Sequence, residues 1–183
     1  MTAFISRIGG EGVTTVTVGL ARILATSHSL RILLVSYDAG KRGAAAALEI
    51  VPKVFMGFTG EGDSPVPDPW VHPGDDGHLH VLTLDAKAAF GITNGIRWAQ
   101  AFRSLCLAYD LVLVDAGARR IPLPTRWSST PHRVVLIVDS SRTTEEELQR
   151  LKAEFDSAGK LPDAVVLNKR EYHVPRFLYR YVR

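Results

Sequence analysis

Six short runs stay apolar along their length, Thr83 excepted: Ala3–Ile5, Ile32–Val35, Val81–Leu84, Leu111–Val114, Val134–Val138 and Val165–Leu167. A strand with one wet face alternates apolar and polar residues, whereas a strand covered on both faces does not. The runs therefore predict a sheet sandwiched between helices. Helical spacing fills the intervals. From Thr14 to Thr26 it puts Val16, Leu20, Ile23 and Leu24 on one stripe, and from Ile96 to Leu107 it aligns Trp98, Phe102 and Leu105. A third segment opens with Thr144 and Glu147 at capping-box spacing, continues through Leu148, Leu151 and Phe155, and stops near Gly159. Strands alternating with helices predict a doubly wound, mostly parallel α/β fold.

One stretch breaks the rhythm. Between Gly57 and Gly77 stand Pro65, Pro67, Pro69 and Pro73 among glycines and acids, the composition of a long surface loop. No repeat or linker divides the chain, so residues 1–183 are expected to form one domain, long enough to bury a sizeable core. The lone cysteine, Cys106, allows no disulfide within the chain and reads as a small buried side chain in a reducing compartment. No apolar run approaches the ~20 residues that span a bilayer, and the first residues lack a signal-peptide pattern, so a cytoplasmic location is expected.

The net charge of +3 gathers at the end of the chain, where Arg170, Arg176, Arg180 and Arg183 outnumber Glu171. A local basic tail over 170–183 accounts for it, and no nucleic-acid partner is expected. In that tail Phe177, Leu178 and Tyr181 are suited to docking on the domain, and the arginines to an anionic membrane surface. His72, His78 and His80 stand near Asp75 and Asp76, but their spacing matches no zinc pattern.

The segment most suggestive of chemistry is Ser6-Arg7-Ile8-Gly9-Gly10-Glu11-Gly12-Val13-Thr14-Thr15, between the first strand and the first helix. Glycines there let backbone N–H groups converge on a phosphate, and the helix adds the positive end of its dipole. Gly9 to Thr15 is thus the candidate phosphate-binding loop, with Thr14 placed to ligate Mg²⁺. The same glycines would also suit a plain tight turn. The general P-loop pattern has Gly at Arg7 and Lys at Val13. A valine cannot contact phosphate, so turnover is expected to fail before binding does, at a cost of a few kcal/mol in transition-state stabilisation.

Beyond this loop the chain resembles the MinD-like branch of P-loop ATPases, and within it the bacterial tyrosine kinases (BY-kinases) of exopolysaccharide export. Gly-Glu-Gly-Val-Thr-Thr at 10–15 resembles their Gly-Glu-Gly-Lys-Thr-Thr. Ile32 to Asp38 is similar to their second motif, a strand ending in Asp-x-Asp, with Ser36 at the first acid, Asp38 at the second, and Lys41 and Arg42 following. Tyr109 to Asp115 resembles the Walker B strand, and Val165 to Asn168 the strand whose asparagine approaches adenine.

The resemblance implies ATP or ADP with Mg²⁺ as ligand. Phosphates would lie on Gly9 to Thr15, Mg²⁺ on Thr14, Asp38 and Asp115, and the base on Asn168. Asp38 and Asp115 are also the catalytic acids to expect if the chain is active. As plain residues, each acid could simply end a strand, and Asn168 could be a turn residue. Ile8 stands where MinD-like members carry a second, signature lysine. The pattern implies a non-catalytic or weakly nucleotide-binding protein, with a homodimer as one candidate assembly. Its implied partner is a membrane polysaccharide co-polymerase or synthase component, which would hold it at the inner face of the membrane. The alternatives are an ATPase or tyrosine kinase using Arg7, Lys41, Arg42 or a second subunit's residue in place of the lysine, and a MinD- or ParA-like positioning switch.

Overall fold

Every apolar run forms a strand. The structure, a computed structural model, describes residues 1–37, 43–55, 72–73, 77–85, 95–118, 133–157, 159 and 161–170. Asp38, Lys41, Arg42, most of the 57–77 segment and the tail beyond Arg170 lie outside the described residues.

The described strands are β1 (Thr2–Ser6), β2 (Ile32–Ser36), β3 (Val54–Phe55), β4 (His72–Pro73), β5 (Leu79–Leu84), β6 (Leu111–Ala118), β7 (Arg133–Asp139) and β8 (Ala164–Asn168). The helices are α1 (Val13–His28), α2 (Ala44–Ala47), α3 (Gly95–Ala108) and α4 (Glu145–Ser157). Seven strands pair in parallel in the order β3-β5-β2-β6-β1-β7-β8, and β4 pairs antiparallel with β5. Thus a short strand lies inside the segment that its prolines and glycines mark as loop.

Successive side chains of a strand point to opposite faces, and both faces of the inner strands are dry, whereas the expected two-sided cover of the Val165–Leu167 run fails at the edge strand β8, where Val165 and Leu167 are exposed. Leu33, Val35, Val112, Val114 and Leu136 join Phe102 and Leu105 of α3 and Leu151 and Phe155 of α4 in one cluster. Ile32, Leu34, Leu113, Phe4 and Ile137 join Val13, Val18, Ala21 and Ala25 of α1 and Leu48 in the other. A fully buried leucine or isoleucine contributes about 1.5–3 kcal/mol, so the uninterrupted apolar runs are the main stabilising term of the sheet.

Two helices agree with their spacing in different degrees. The capping box of α4 closes in both directions: the Thr144 N–H donates to Glu147 Oε2 at 3.0 Å and the Glu147 N–H to Thr144 Oγ1 at 3.3 Å. Helix α1 is rotated from the expected stripe. Thr17, Val18, Ala21 and Ala25 face the sheet, Val16, Leu20 and Leu24 flank them, and Ile23 is 60% exposed. Small side chains let the helix lie close to the strands, and the Thr17 hydroxyl is satisfied by the Val13 carbonyl at 2.8 Å. No described helix is long and apolar enough to cross a membrane.

Parallel pairing brings the carboxyl ends of the strands to one edge, where ligands of open α/β sheets bind. Ser36 is level with Asp115, and Asp139 with Asn168.

Candidate functional site

The chain leaving β1 makes the glycine loop and enters α1. Gly10 and Gly12 sit at φ +88° and +93°, a region that L side chains rarely adopt. Gly12 is required for space as well, because a Cβ there would stand 2.2 Å from Asn168 Nδ2. At Gly9 and Gly10 a Cβ would meet nothing within 4 Å, so the loop is open on that side.

Side chains behind the loop hold its carbonyls. The Ser6 hydroxyl donates to the Ile8 carbonyl at 3.0 Å, the Lys169 ammonium donates to that of Gly10, and Asn168 Nδ2 donates to that of Glu11 at 2.9 Å. In a trans peptide the N–H points opposite its C=O. Anchoring these oxygens therefore turns the N–H groups of Gly9, Glu11 and Gly12 the other way, as a concave set of donors for an anion.

Glu11 serves the loop from within. It is 4% exposed. Its carboxylate accepts the Ile8 N–H at 2.9 Å, the Asp139 N–H at 3.4 Å and the Thr143 hydroxyl at 3.5 Å. Only its backbone is available to a ligand. Val13 likewise offers its backbone alone, since its side chain lies in the α1-side cluster. Arg7 leans toward α4, its guanidinium 3.8 Å from Glu154.

At the start of α1 the Thr14 hydroxyl donates to Asp115 Oδ2 at 2.8 Å, and Asp115 Oδ1 accepts the Gly117 N–H at 3.2 Å. Asp115 is 2% exposed, and Ser36, its neighbour across the strands, is fully buried. A hydroxyl and a carboxylate already in contact form a hard-oxygen corner suited to Mg²⁺.

On the other flank is a network that motif reasoning missed. Asp139, at the end of β7, accepts the Ser141 hydroxyl at 2.6 Å and N–H at 3.1 Å, and pairs with the Lys169 ammonium at 3.0 Å. The Ser141 hydroxyl first, and Lys169 second, hold the Asp139 carboxyl down at about 2. A lysine directly after the strand-ending asparagine was the available signal.

A cavity of about 740 Å³ opens over these groups, bounded by residues 9–15, Tyr37, Asp115, Asn168 and Lys169. That volume is in the range that holds a small-molecule ligand. The structure thus brings together the candidate residues Gly9 to Thr15, Asp115 and Asn168, whereas Asp38 lies outside the described residues. Donor set, oxygen corner and volume all suit a nucleoside di- or triphosphate with Mg²⁺.

No family model matches the chain, and no curated protein matches it in sequence. Solved structures match it in fold. It is similar to the BceF tyrosine kinase domain at 19% identity and a TM-score of 0.67, over 91% of this chain and 67% of that one. It is similar to the MinC:MinD cell division protein complex of Aquifex aeolicus at 18% identity and 0.71, over 98% and 72%. The septum site-determining protein MinD from Pyrococcus horikoshii OT3, complexed with Mg-ADP, matches at 19% and 0.61, over 100% and 77%. The fold is that of the P-loop NTPases of MinD and BY-kinase type.

Proposed function

We propose that this chain is a nucleotide-binding P-loop protein without efficient turnover, acting as a regulatory or scaffolding partner of a membrane complex for exopolysaccharide synthesis and export. The observation that carries the nucleotide reading is the loop itself, with its carbonyls anchored behind, its amides turned outward and the Thr14–Asp115 contact at its end. The Gly9 to Thr15 backbone would hold the phosphates, Thr14 and Asp115 would hold Mg²⁺, with Asp38 from the following segment, and Asn168 would border the base. The metal, when bound, supplies charge neutralisation at the phosphates. The chain's own residues supply fixed amides and the hydroxyl–carboxylate corner.

The reading of weak turnover rests on Val13. A lysine there would place an ammonium against the phosphates, where developing charge is stabilised by about 3 kcal/mol or more per preorganised group. Valine instead packs into the core, and Arg7, one candidate replacement, is directed at Glu154. The place in polysaccharide export rests on the motif resemblance to BY-kinases, joined by the fold similarity to a tyrosine kinase domain. Membrane attachment through a partner, or as a homodimer, belongs to the same reading.

Thermal unfolding with and without millimolar Mg-ADP and Mg-ATP tests it, alongside phosphate release. A ligand at ~100 times its dissociation constant adds about 2.7 kcal/mol of stability. Stabilisation by both nucleotides with negligible phosphate release is the expected result. Absence of stabilisation sinks the nucleotide reading, and rapid release by the wild-type chain sinks the claim of weak turnover. Val13→Lys is the companion variant: it should gain hydrolysis, at a cost in melting temperature because the position is buried.

A further inference from the structure

We propose that Lys169 is the positioning residue of the phosphate loop, a latch that turns the Gly10–Glu11 peptide so that its N–H faces the ligand. The proposal rests on the nucleotide reading and names the residue that makes the site competent.

Each carbonyl that faces the protein side of the loop is held by a different device. Ser6 belongs to the loop's own strand, two residues from Ile8, and Asn168 holds the Glu11 carbonyl from beside Gly12. The Gly10 carbonyl is held by the Lys169 ammonium. Glycine on both sides of Glu11 gives this part of the backbone the widest choice of φ, so peptide orientation here is set by partners rather than by sterics. Without a donor behind it, the Gly10–Glu11 peptide could turn its carbonyl toward the ligand, and a carbonyl oxygen repels a phosphate where an N–H attracts it.

The ammonium is fixed from its other side. Asp139 Oδ2 is 3.0 Å away on a side chain 1% exposed, and Ser141 and the strand end hold that carboxylate in place. Asp139 also donates its N–H to Glu11 Oε1. The ends of β7 and β8 and the loop are therefore one closed circuit: Asp139 to Lys169, Lys169 to Gly10, and Glu11 back to Asp139. The lysine that a P-loop carries within itself would organise the phosphates directly. In this chain a lysine 159 residues from Gly10 acts on the same loop from behind. Because its ammonium is engaged by Gly10 and Asp139, it acts by orienting the backbone.

Lys169→Met keeps the length of the stem and removes the donor, and Lys169→Arg keeps a donor for both acceptors. Two measurements are made on each full-length variant: affinity for Mg-pyrophosphate and Mg-ADP, and the amide resonances of Gly10 to Gly12 without ligand. Lys169→Met should weaken both ligands by roughly 10- to 100-fold, the weight of one well-placed hydrogen bond to a charged group. It should also broaden or double the Glu11 and Gly12 resonances, with Lys169→Arg restoring most of both. Asp139→Asn, which loosens the ammonium from the far side, should move both readouts in the same direction. Unchanged loop resonances in Lys169→Met overturn the latch, as does affinity within twofold of a wild type that binds. A wild type that binds neither ligand, beside a variant whose loop resonances broaden, overturns the nucleotide reading and leaves the latch standing.

Discussion

The glycine loop has two flanks. On the β6 side, Asp115 meets the hydroxyl of Thr14 and the N–H of Gly117, both neutral donors. On the β7–β8 side, Asp139 meets the ammonium of Lys169, and that ammonium reaches the loop. Both carboxylates are buried on strands next to β1, Asp115 within β6 and Asp139 at the end of β7. The first carboxylate touches a hydroxyl, as in a metal corner, and the second pairs with the Lys169 ammonium. On the proposed reading one flank holds chemistry and the other holds shape, and of the second flank the motif resemblance reaches only Asn168.

The sharpest way to break this division is at Gly12, where the flanks meet. Gly12→Ala puts a Cβ at φ +93° and 2.2 Å from Asn168 Nδ2. Left-handed backbone costs about 1–2 kcal/mol and the displaced Asn168–Glu11 bond about 1 more, so a total of about 2–3 kcal/mol is expected in urea unfolding, with loss of ligand binding. Next is Asp115→Asn. Its amide oxygen can still accept from Thr14, so stability should change by under about 1 kcal/mol, while Mg-ADP affinity falls roughly tenfold because a hard cation loses an anionic ligand. ADP affinity without Mg²⁺ should hardly move, and an equal loss with and without the metal would contradict a metal corner.

The shape flank has a pH signature. Asp139 titrates at about 2 when folded, against an ordinary 3.8. A lowered folded pKa means its stabilisation is complete above 3.8 and is lost as pH falls from there toward 2. Urea midpoints of wild type and Asp139→Asn should differ by a constant amount near neutrality and converge below about pH 4. A gap that persists at low pH would mean that the charge of Asp139 is not what matters. The smallest effect is expected at Arg7→Ala. The Arg7–Glu154 contact is partly exposed and 3.8 Å long, so under about 0.5 kcal/mol should be lost and ligand affinity should stay unchanged.

The inner sheet was legible because burial on both faces leaves an unbroken apolar run, a pattern that survives without knowledge of partners, while the run of β8 is apolar although largely exposed. Strands β3 and β4, two residues each, are too short to show any period. Helix α1 was legible in extent and misread in rotation. Hydrophobicity favours Ile23, while close helix–sheet packing selects Thr17, Ala21 and Ala25. At the site, Gly12, Thr14 and Asp115 were readable as motif letters because spacing along the chain carries them. Glu11 was read as a letter of the same motif, yet its side chain is a buried tie to β7. Asp139 carries no motif letter and Lys169 only its place after Asn168, because their meaning arises when β7 and β8 are laid beside β1.

The central position of β1 also sets when the site can form. Thr2 pairs with Leu113 on one side and Arg133 on the other, so this strand has no permanent neighbour until more than a hundred further residues have emerged. At synthesis rates of about 5–20 residues per second that interval is roughly 5–25 s. Through it the apolar segment Ala3–Ile5 and the glycine loop behind it remain without their pairing strands. Closing such distant pairs is slow. A newborn chain of this topology is therefore a natural client for chaperones, and truncation before β7 should yield an aggregating product.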